Sequence, residues 1–275
     1  MQVSKRKYIL ADRSLASGST LEHVRIAAAC GYDAVSLRVA PSPDGRLFVP
    51  PRGGSLAAIK RELQEQGIVV WDAESARLNA TFSVADFVPR LATAAEVGAR
   101  YLLTVGDDPD DARVADNFAA LARAADLFGI TLALEFMVYI GVGSWQRALA
   151  LLERAGRADA VLLIDALHLQ RSGAVPRELA AVNPQRLPYF QLCDAPAKWP
   201  QSASELREEA RSMRLLPGEG ALPLVDLVRT MPMGAAVAVE VPMQRLNAQL
   251  GDLEFAQRAL NATRAVVEVA SGQAA

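Results

Sequence analysis

The chain has 275 residues, 51% of them hydrophobic and 22% charged, with 29 Lys and Arg against 31 Asp and Glu for a net charge of −2. This much apolar side chain excludes an intrinsically disordered polypeptide, and a balanced charge without a long basic run argues against a nucleic-acid surface. Two cysteines, Cys30 and Cys193, make neither a disulfide framework nor a cysteine zinc site, so a reducing cytoplasm is the expected location.

At the N-terminus, Lys5, Arg6 and Lys7 are followed by an apolar run of only Tyr8-Ile9-Leu10-Ala11, too short for a secretory signal. Crossing a bilayer takes about 20 predominantly apolar residues. The most apolar windows are cut by Glu135, Asp165 and Glu240, so no membrane association is expected.

From there, β-rich runs at 8–10, 34–37, 68–71, 101–105, 131–136, 161–165, 189–193 and 236–241 alternate with segments of helical period. Leu56, Ile59 and Leu63 share one helical face, as do Phe87, Leu91, Ala94 and Gly98. The pattern repeats in Val114, Phe118, Leu121, Ala125 and Phe128, and again in Leu253, Ala256, Leu260 and Val267. Gly31, Gly67, Gly98 and Gly129 each close a helical pattern just before a strand, where a left-handed cap is expected. Eight βα units of roughly 34 residues predict an α/β chain folded as a (β/α)8 TIM barrel, one domain over 1–275. An open doubly wound sheet is the rival, but Ala11-Asp12-Arg13-Ser14 stands where its glycine-rich phosphate turn would follow the first strand.

The segment 195–221, after the seventh strand, is longer than a regular βα connection. Ser202 and Glu205 form a capping-box pattern ahead of a short charged helix. Such an insertion sits at the carboxyl mouth of a barrel and can serve as a lid there. It reads equally as a solvated surface helix carrying a Glu208–Arg211 pair.

Strands five to eight end in Leu-Ala-Leu-Glu135-Phe, Leu-Leu-Ile-Asp165-Ala, Tyr-Phe-Gln191-Leu-Cys and Val-Ala-Val-Glu240-Val. Alternation along a strand turns Ala133 and Glu135 inward if Leu132, Leu134 and Phe136 face the helices. The same parity turns in Leu163 and Asp165, Tyr189 and Gln191, and Ala238 and Glu240. Three carboxylates meeting in a partly dry site must either take up protons or share a cation. Oxygen donors of this number and charge favour Mg²⁺ or Mn²⁺. Against this stands the plain reading of polar strand ends paired locally with arginines or backbone amides.

These stretches, together with Ile-Asp165-Ala-Leu-His168-Leu-Gln-Arg171-Ser-Gly173, Phe-Gln191-Leu-Cys-Asp194-Ala-Pro196 and Leu-Leu-Pro217-Gly-Glu-Gly220, resemble the xylose isomerase-like TIM barrels. Within them, the likeness is to the sugar phosphate isomerase/epimerase group, which includes inosose dehydratases and hydroxypyruvate isomerases. It covers nearly the whole chain, and Asp-x-x-His followed by Arg-x-Gly is its most specific part. The resemblance implies one divalent metal held by Glu135, Asp165, Gln191 and Glu240, with the two glutamates as the acid/base pair. It implies substrate contacts from His168 and Arg171. Gln191 stands where epimerases of the group usually carry histidine, which favours Mn²⁺ or Mg²⁺ over zinc. The zinc-cluster endonucleases of the family need several histidines, and only His23 and His168 are present.

His168, three residues past a strand-end carboxylate, is expected in the loop at the mouth, as a substrate contact or proton carrier. Arg171 reads as a substrate anchor or as support for Asp165 or Asp194. Arg13, Arg38 and Arg77 follow strands one to three and read as salt-bridged groups, with room for one anion anchor among them.

The leading expectation is a metal-dependent isomerase or epimerase of a keto-sugar or small hydroxy-ketone, working through an enediolate intermediate. The alternatives are a dehydratase of a keto-inositol or dehydroshikimate-like ring, with catalytic Glu135, Glu240 and His168, and a non-catalytic sugar-binding relative. The expected partner is a small carbohydrate-like molecule. Relatives are often dimers or tetramers, which leaves a homo-oligomer open.

Overall fold

The computed structural model describes residues 6–16, 19–42, 45, 49–50 and 53–272. Eight parallel strands close a barrel in sequence order: β1 (Tyr8–Leu10), β2 (Ala34–Arg38), β3 (Val69–Leu78), β4 (Tyr101–Gly106), β5 (Thr131–Glu135), β6 (Val161–Asp165), β7 (Tyr189–Leu192) and β8 (Ala236–Val239). The last strand pairs with the first to close the seam, where Ile9 lies opposite Ala238.

Around the barrel lie α1 (Thr20–Cys30), α2 (Gly54–Gln66), α3 (Val84–Glu96), α4 (Asp111–Asp126) and α5 (Trp145–Arg154). They are followed by α6 (Ala166–Arg171), α7 (Ala203–Ser212), α8 (Leu224–Thr230), α9 (Gln244–Leu250) and α10 (Asp252–Ala270). Helix α1 ends on Gly31 at φ 79° and α2 on Gly67 at φ 65°, left-handed conformations that a side chain would strain. No helix among the described residues is long and apolar enough to cross a membrane.

Strand alternation sorts the apolar side chains into two clusters. Ile9, Ala34, Trp71, Leu103, Ala133, Leu163, Tyr189 and Ala238 fill the barrel interior. Leu132, Leu134, Phe136, Ile164, Phe190 and Val237 pack outward against the helices. The helical faces read from the sequence meet that outer layer, with Leu56, Ile59, Leu91, Phe118, Leu121 and Leu260 all buried. Leu253 departs from this: it is 54% exposed, because it falls in the first turn of α10, before that helix settles on the barrel.

Strand ends differ from the expected limits in an informative way. β3 runs on to Leu78, well past residue 71, and its polar continuation buries Asp72 against Ser36 and Tyr189 and carries Glu74 to the cavity at the barrel mouth. β8 stops at Val239, yet the Glu240 amide still donates to the Leu192 carbonyl at 3.2 Å, so Glu240 keeps the strand's direction.

A single hydroxyl secures that end of β8. The Ser14 hydroxyl donates to the Val239 carbonyl at 2.7 Å and accepts the Val241 amide at 2.9 Å. Ser14→Ala leaves a buried carbonyl and a buried amide without partners, at a cost of about 1–3 kcal/mol for each such group. Urea unfolding should show a stability loss of that order, and an unchanged midpoint would mean that water or a backbone shift replaces the hydroxyl.

Candidate metal centre

Four strand-end residues build the floor of the mouth. Asp165 pairs in register with Gln191, Gln191 with Ala238, and Glu135 with Leu163. The stagger of a tilted barrel therefore places the side chains on neighbouring rungs. One oxygen each from Glu135, Asp165 and Glu240 lies within 4.8 Å of the others, and all three residues are buried. Gln191 is 1% exposed, on the inward face it shares with Tyr189.

Like charges this close repel by roughly 3 kcal/mol per pair at an effective dielectric near 20. Among the described residues, one buried guanidinium meets them directly. Arg214, 2% exposed, donates from Nη1 to Asp165 Oδ2 at 2.6 Å and to the Glu240 carbonyl at 3.2 Å. The same nitrogen lies 3.1 Å from Glu240 Oε2, close enough for attraction but without a directional hydrogen bond. Its Nε donates to the Ala210 carbonyl at 2.9 Å, tying it to the end of α7.

The titration behaviour follows from this geometry. Burial, then the neighbouring Glu240 and Asp165 charges, hold the Glu135 carboxyl well above its ordinary value. Burial lifts Glu240 to about 7 against the pull of Arg214. Asp165 is the exception: burial would raise it, but Arg214 and then His168 draw it below the usual carboxylate range. The site thus sets one committed anion beside two carboxyls whose hold on a proton is strengthened by burial and by their neighbours' charge.

The donors fit a divalent cation. The Gln191 amide oxygen is buried with no hydrogen-bond partner, and Glu240 Oε2 is likewise unbonded. Orphaned buried acceptors of this kind are costly unless something electropositive meets them. Glu135, Asp165, Gln191 and Glu240 would hold it, an all-oxygen set suited to a hard ion.

His168 lies in α6 rather than in the expected loop, because the Asp165 side chain caps that helix by accepting the His168 amide at 2.9 Å. The ring is 1% exposed, both of its nitrogens lack hydrogen bonds, and Nε2 stands 4.0 Å from Glu135 Oε1. Burial lowers its pKa to about 4, so it is neutral at physiological pH.

Arg171 does not line the cavity. Its guanidinium grips both Glu209 oxygens at 2.9 and 2.7 Å, donates to the Pro196 carbonyl at 2.8 Å and lies over the Trp199 ring. It anchors the 195–221 segment, where a substrate contact is expected from the sequence. Arg38 and Arg77 are salt-bridged as read from the sequence, Arg38 to Asp12 and Glu74 at 2.9 and 2.8 Å and Arg77 to Asp107. Burial pushes the Cys193 thiol far up; its sulfur accepts a contact from Arg214, and no base activates it.

Above the floor is a cavity of about 290 Å³, lined by Arg13, Arg38, Glu74, Arg77, Met137, Tyr139, His168, Arg211 and Arg214 among others. Helix α7 supplies Ala210 and Arg211 to it, so the excursion contributes to the cavity wall. Ser202 caps α7 by accepting the Glu205 amide at 3.2 Å, as expected. The Pro217–Gly220 turn closes on Asp194, which accepts the Gly218 and Leu222 amides; a Cβ on Gly220 would collide with the Asp194 carboxylate. Strand and helix periodicity alone does not mark Arg214, Arg211, Glu74 or Tyr139 as cavity residues. The one available signal is the arginine pair framing the end of a charged helix in an overlong connection.

The family described as xylose isomerase-like TIM barrel matches residues 24–262. A 3-dehydroshikimate dehydratase of Pseudomonas aeruginosa is 28% identical over 120 residues, covering 43% of this chain and 18% of that protein. The chain therefore spans under a fifth of the length of this curated relative. Among solved structures, an IolI protein with a zinc atom bound superposes with a TM-score of 0.80 at 18% identity, over 96% of this chain and 98% of that one. A xylose isomerase-like TIM barrel/4-hydroxyphenylpyruvate dioxygenase fusion protein gives 0.79 at 17% identity, over 97% of this chain and 43% of the fusion. A D-psicose 3-epimerase solved in the presence of D-fructose gives 0.70 at 14%, over 95% and 99%. At such identities the structural likeness is one of fold.

The carboxyl shifts set a pH dependence for the metal-free fold. Asp165, depressed, adds stability that is present above its unfolded pKa and lost as pH falls through its folded one. Glu240, raised from 4.5 to about 7, does the reverse: the fold binds the extra proton, and stability declines as pH climbs between those values. Glu240→Gln should flatten that decline by roughly 3 kcal/mol, from 1.36 kcal/mol per pKa unit. Urea titrations of metal-free protein across this range test it; parallel slopes for both proteins would show that Glu240 titrates normally.

Proposed function

The chain belongs to the xylose isomerase-like TIM-barrel family, and we propose that it is a divalent-metal-dependent isomerase or epimerase of a keto-sugar or small hydroxy-ketone. The observation that carries this is the buried Glu135, Asp165 and Glu240 triad with oxygens within 4.8 Å, beside a partnerless Gln191 amide oxygen. Mn²⁺ or Mg²⁺ is the ion this oxygen set suits best, although the IolI neighbour carries zinc. When bound, such an ion would polarise a substrate carbonyl and so acidify the adjacent C–H bond.

The remaining work falls to side chains. Glu135 and Glu240 are the two carboxyls of the centre that Arg214 does not hold by a directional hydrogen bond, which suits them to take up and give back a proton beside the ion. One of Glu240 and Glu135, ionised, removes and keeps the proton next to the carbonyl; the other, protonated, gives its own proton to the neighbouring carbon or the opposite face. His168, neutral and with both ring nitrogens unbonded, is suited to hydrogen-bond a substrate oxygen. A pKa of about 4 leaves it almost no imidazolium with which to protonate a leaving group. Tyr139 meets the imidazole edge-on, 5.5 Å between ring centres, and fixes its plane.

A second reading shares the first proton removal and then expels a hydroxyl β to the carbonyl, giving a dehydratase. It is favoured by the stretch 28% identical to a 3-dehydroshikimate dehydratase. The proton for the departing oxygen would then come from a glutamate.

With Mn²⁺ or Mg²⁺ and a panel of ketoses and keto-inositols, solvent deuterium should enter the substrate α-position. In ordinary water, an unchanged product mass identifies isomerisation, and loss of water identifies the lyase. Glu135→Gln and Glu240→Gln should each lower turnover by roughly 10²–10⁴-fold while the protein stays folded by circular dichroism. Absence of metal-dependent exchange across the panel would sink both readings.

A further inference from the structure

The walls of the cavity are more cationic than the binding of a neutral sugar requires. Five arginines, Arg13, Arg38, Arg77, Arg211 and Arg214, line it, against the three glutamates Glu74, Glu135 and Glu240.

Most of these arginines are committed. Arg38 is held by Asp12 and Glu74, Arg77 by Asp107, and Arg214 by Asp165 and Glu240. Arg13 also has a partner. Arg211 differs: it is half-buried at the end of α7, with no hydrogen bond or ion pair among the described residues. Its helix offers Glu208 three residues earlier, a spacing at which ion pairs form readily, and that side chain is exposed and available. The expected Glu208–Arg211 pair is nevertheless absent. Arg211 instead borders the cavity near Tyr139, whose hydroxyl feels its charge, while the ring face of Tyr139 is taken by Arg207 at 5.5 Å.

A guanidinium that forgoes a local carboxylate to border a small cavity is placed for an anion from outside the chain. We propose that the substrate bears an anionic group, a carboxylate or a phosphate, and that Arg211 is the specificity-determining residue that receives it. This rests on the metal-dependent reading for the other end of the substrate. A volume of about 290 Å³ limits the ligand to a compact molecule such as a single hydroxylated ring or short chain.

The test is calorimetry on the full chain, in two stages. Mn²⁺ alone is titrated first into wild type and Glu240→Gln, which reads the metal site by itself. Shikimate, ribulose 5-phosphate and myo-inositol are then titrated into the Mn²⁺-loaded protein as carboxylate, phosphate and neutral probes.

Wild type should bind at least one anion about tenfold or more tightly than myo-inositol, the tighter anion naming the group. Arg211→Gln should lose most of that preference, Arg211→Lys should keep part of it, and myo-inositol affinity should not move. Because Arg211 has no ion pair among the described residues, the thermal midpoint should be the same in all three proteins. Myo-inositol binding as tightly as both anions, equal weakening of every probe in Arg211→Gln, or no binding of either anion at millimolar concentration overturns the proposal. Failure of Mn²⁺ to bind wild type would count against the metal-dependent reading alone, and the anion preference would then be read on the metal-free protein.

Discussion

The mouth of this barrel is governed by an imbalance of buried charge. Three carboxylates share a space less than 5 Å across, and one guanidinium, Arg214, stands among them. Arg214 offsets about one of three charges, Arg13 adds a weaker pull on Glu240, and the remainder must be met by protons or by a bound ion. That constraint accounts for the raised carboxyls of Glu135 and Glu240 and the depressed one of Asp165. It also accounts for the orphaned acceptors Gln191 Oε1 and Glu240 Oε2, an arrangement that costs the bare fold energy and gains from a cation.

The supporting shell is built so that the charged groups cannot relax away from one another. Asp165 is immobilised by its role as the cap of α6, and the Ser14 hydroxyl stitches the chain on either side of Glu240, at Val239 and Val241. Arg214 is tethered through Ala210 to α7, and α7 is tethered through Glu209 to Arg171 on α6. The connection after β7 therefore closes a loop of contacts: α6 holds α7, and the turn after α7 returns an arginine to the strand-end acid that starts α6. A segment that delivers both Arg211 and Arg214 to the cavity joins the cavity wall to the centre itself.

Much of this is legible from residue order. Alternation along the strands puts Glu135, Asp165, Gln191 and Glu240 on inward faces at similar depth, and the interior cluster of Ala133, Leu163, Tyr189 and Ala238 shares those faces. The rest is hidden for physical reasons. β3 reads short because the upper barrel interior is polar, so Asp72 and Glu74 break the apolar pattern by which strands are recognised. His168 reads as a loop residue because a six-residue helix leaves almost no periodic trace. Arg171 matches a substrate anchor by motif, but a guanidinium binds whichever carboxylate packs against it, and Glu209 lies 38 positions away.

The barrel, the order of its strands and the inward set of oxygen donors can all be read from residue order, since they depend on periodicities of two and of three to four residues that operate within a single element. Which charges meet is settled elsewhere, by the folded arrangement of distant segments. Arg214 reaches Asp165 across 49 positions and Glu240 across 26, and Arg211 turns from its own helix toward the cavity. Pairings at that separation have no local period to announce them, because they are set by how an irregular connection folds back over the strand ends.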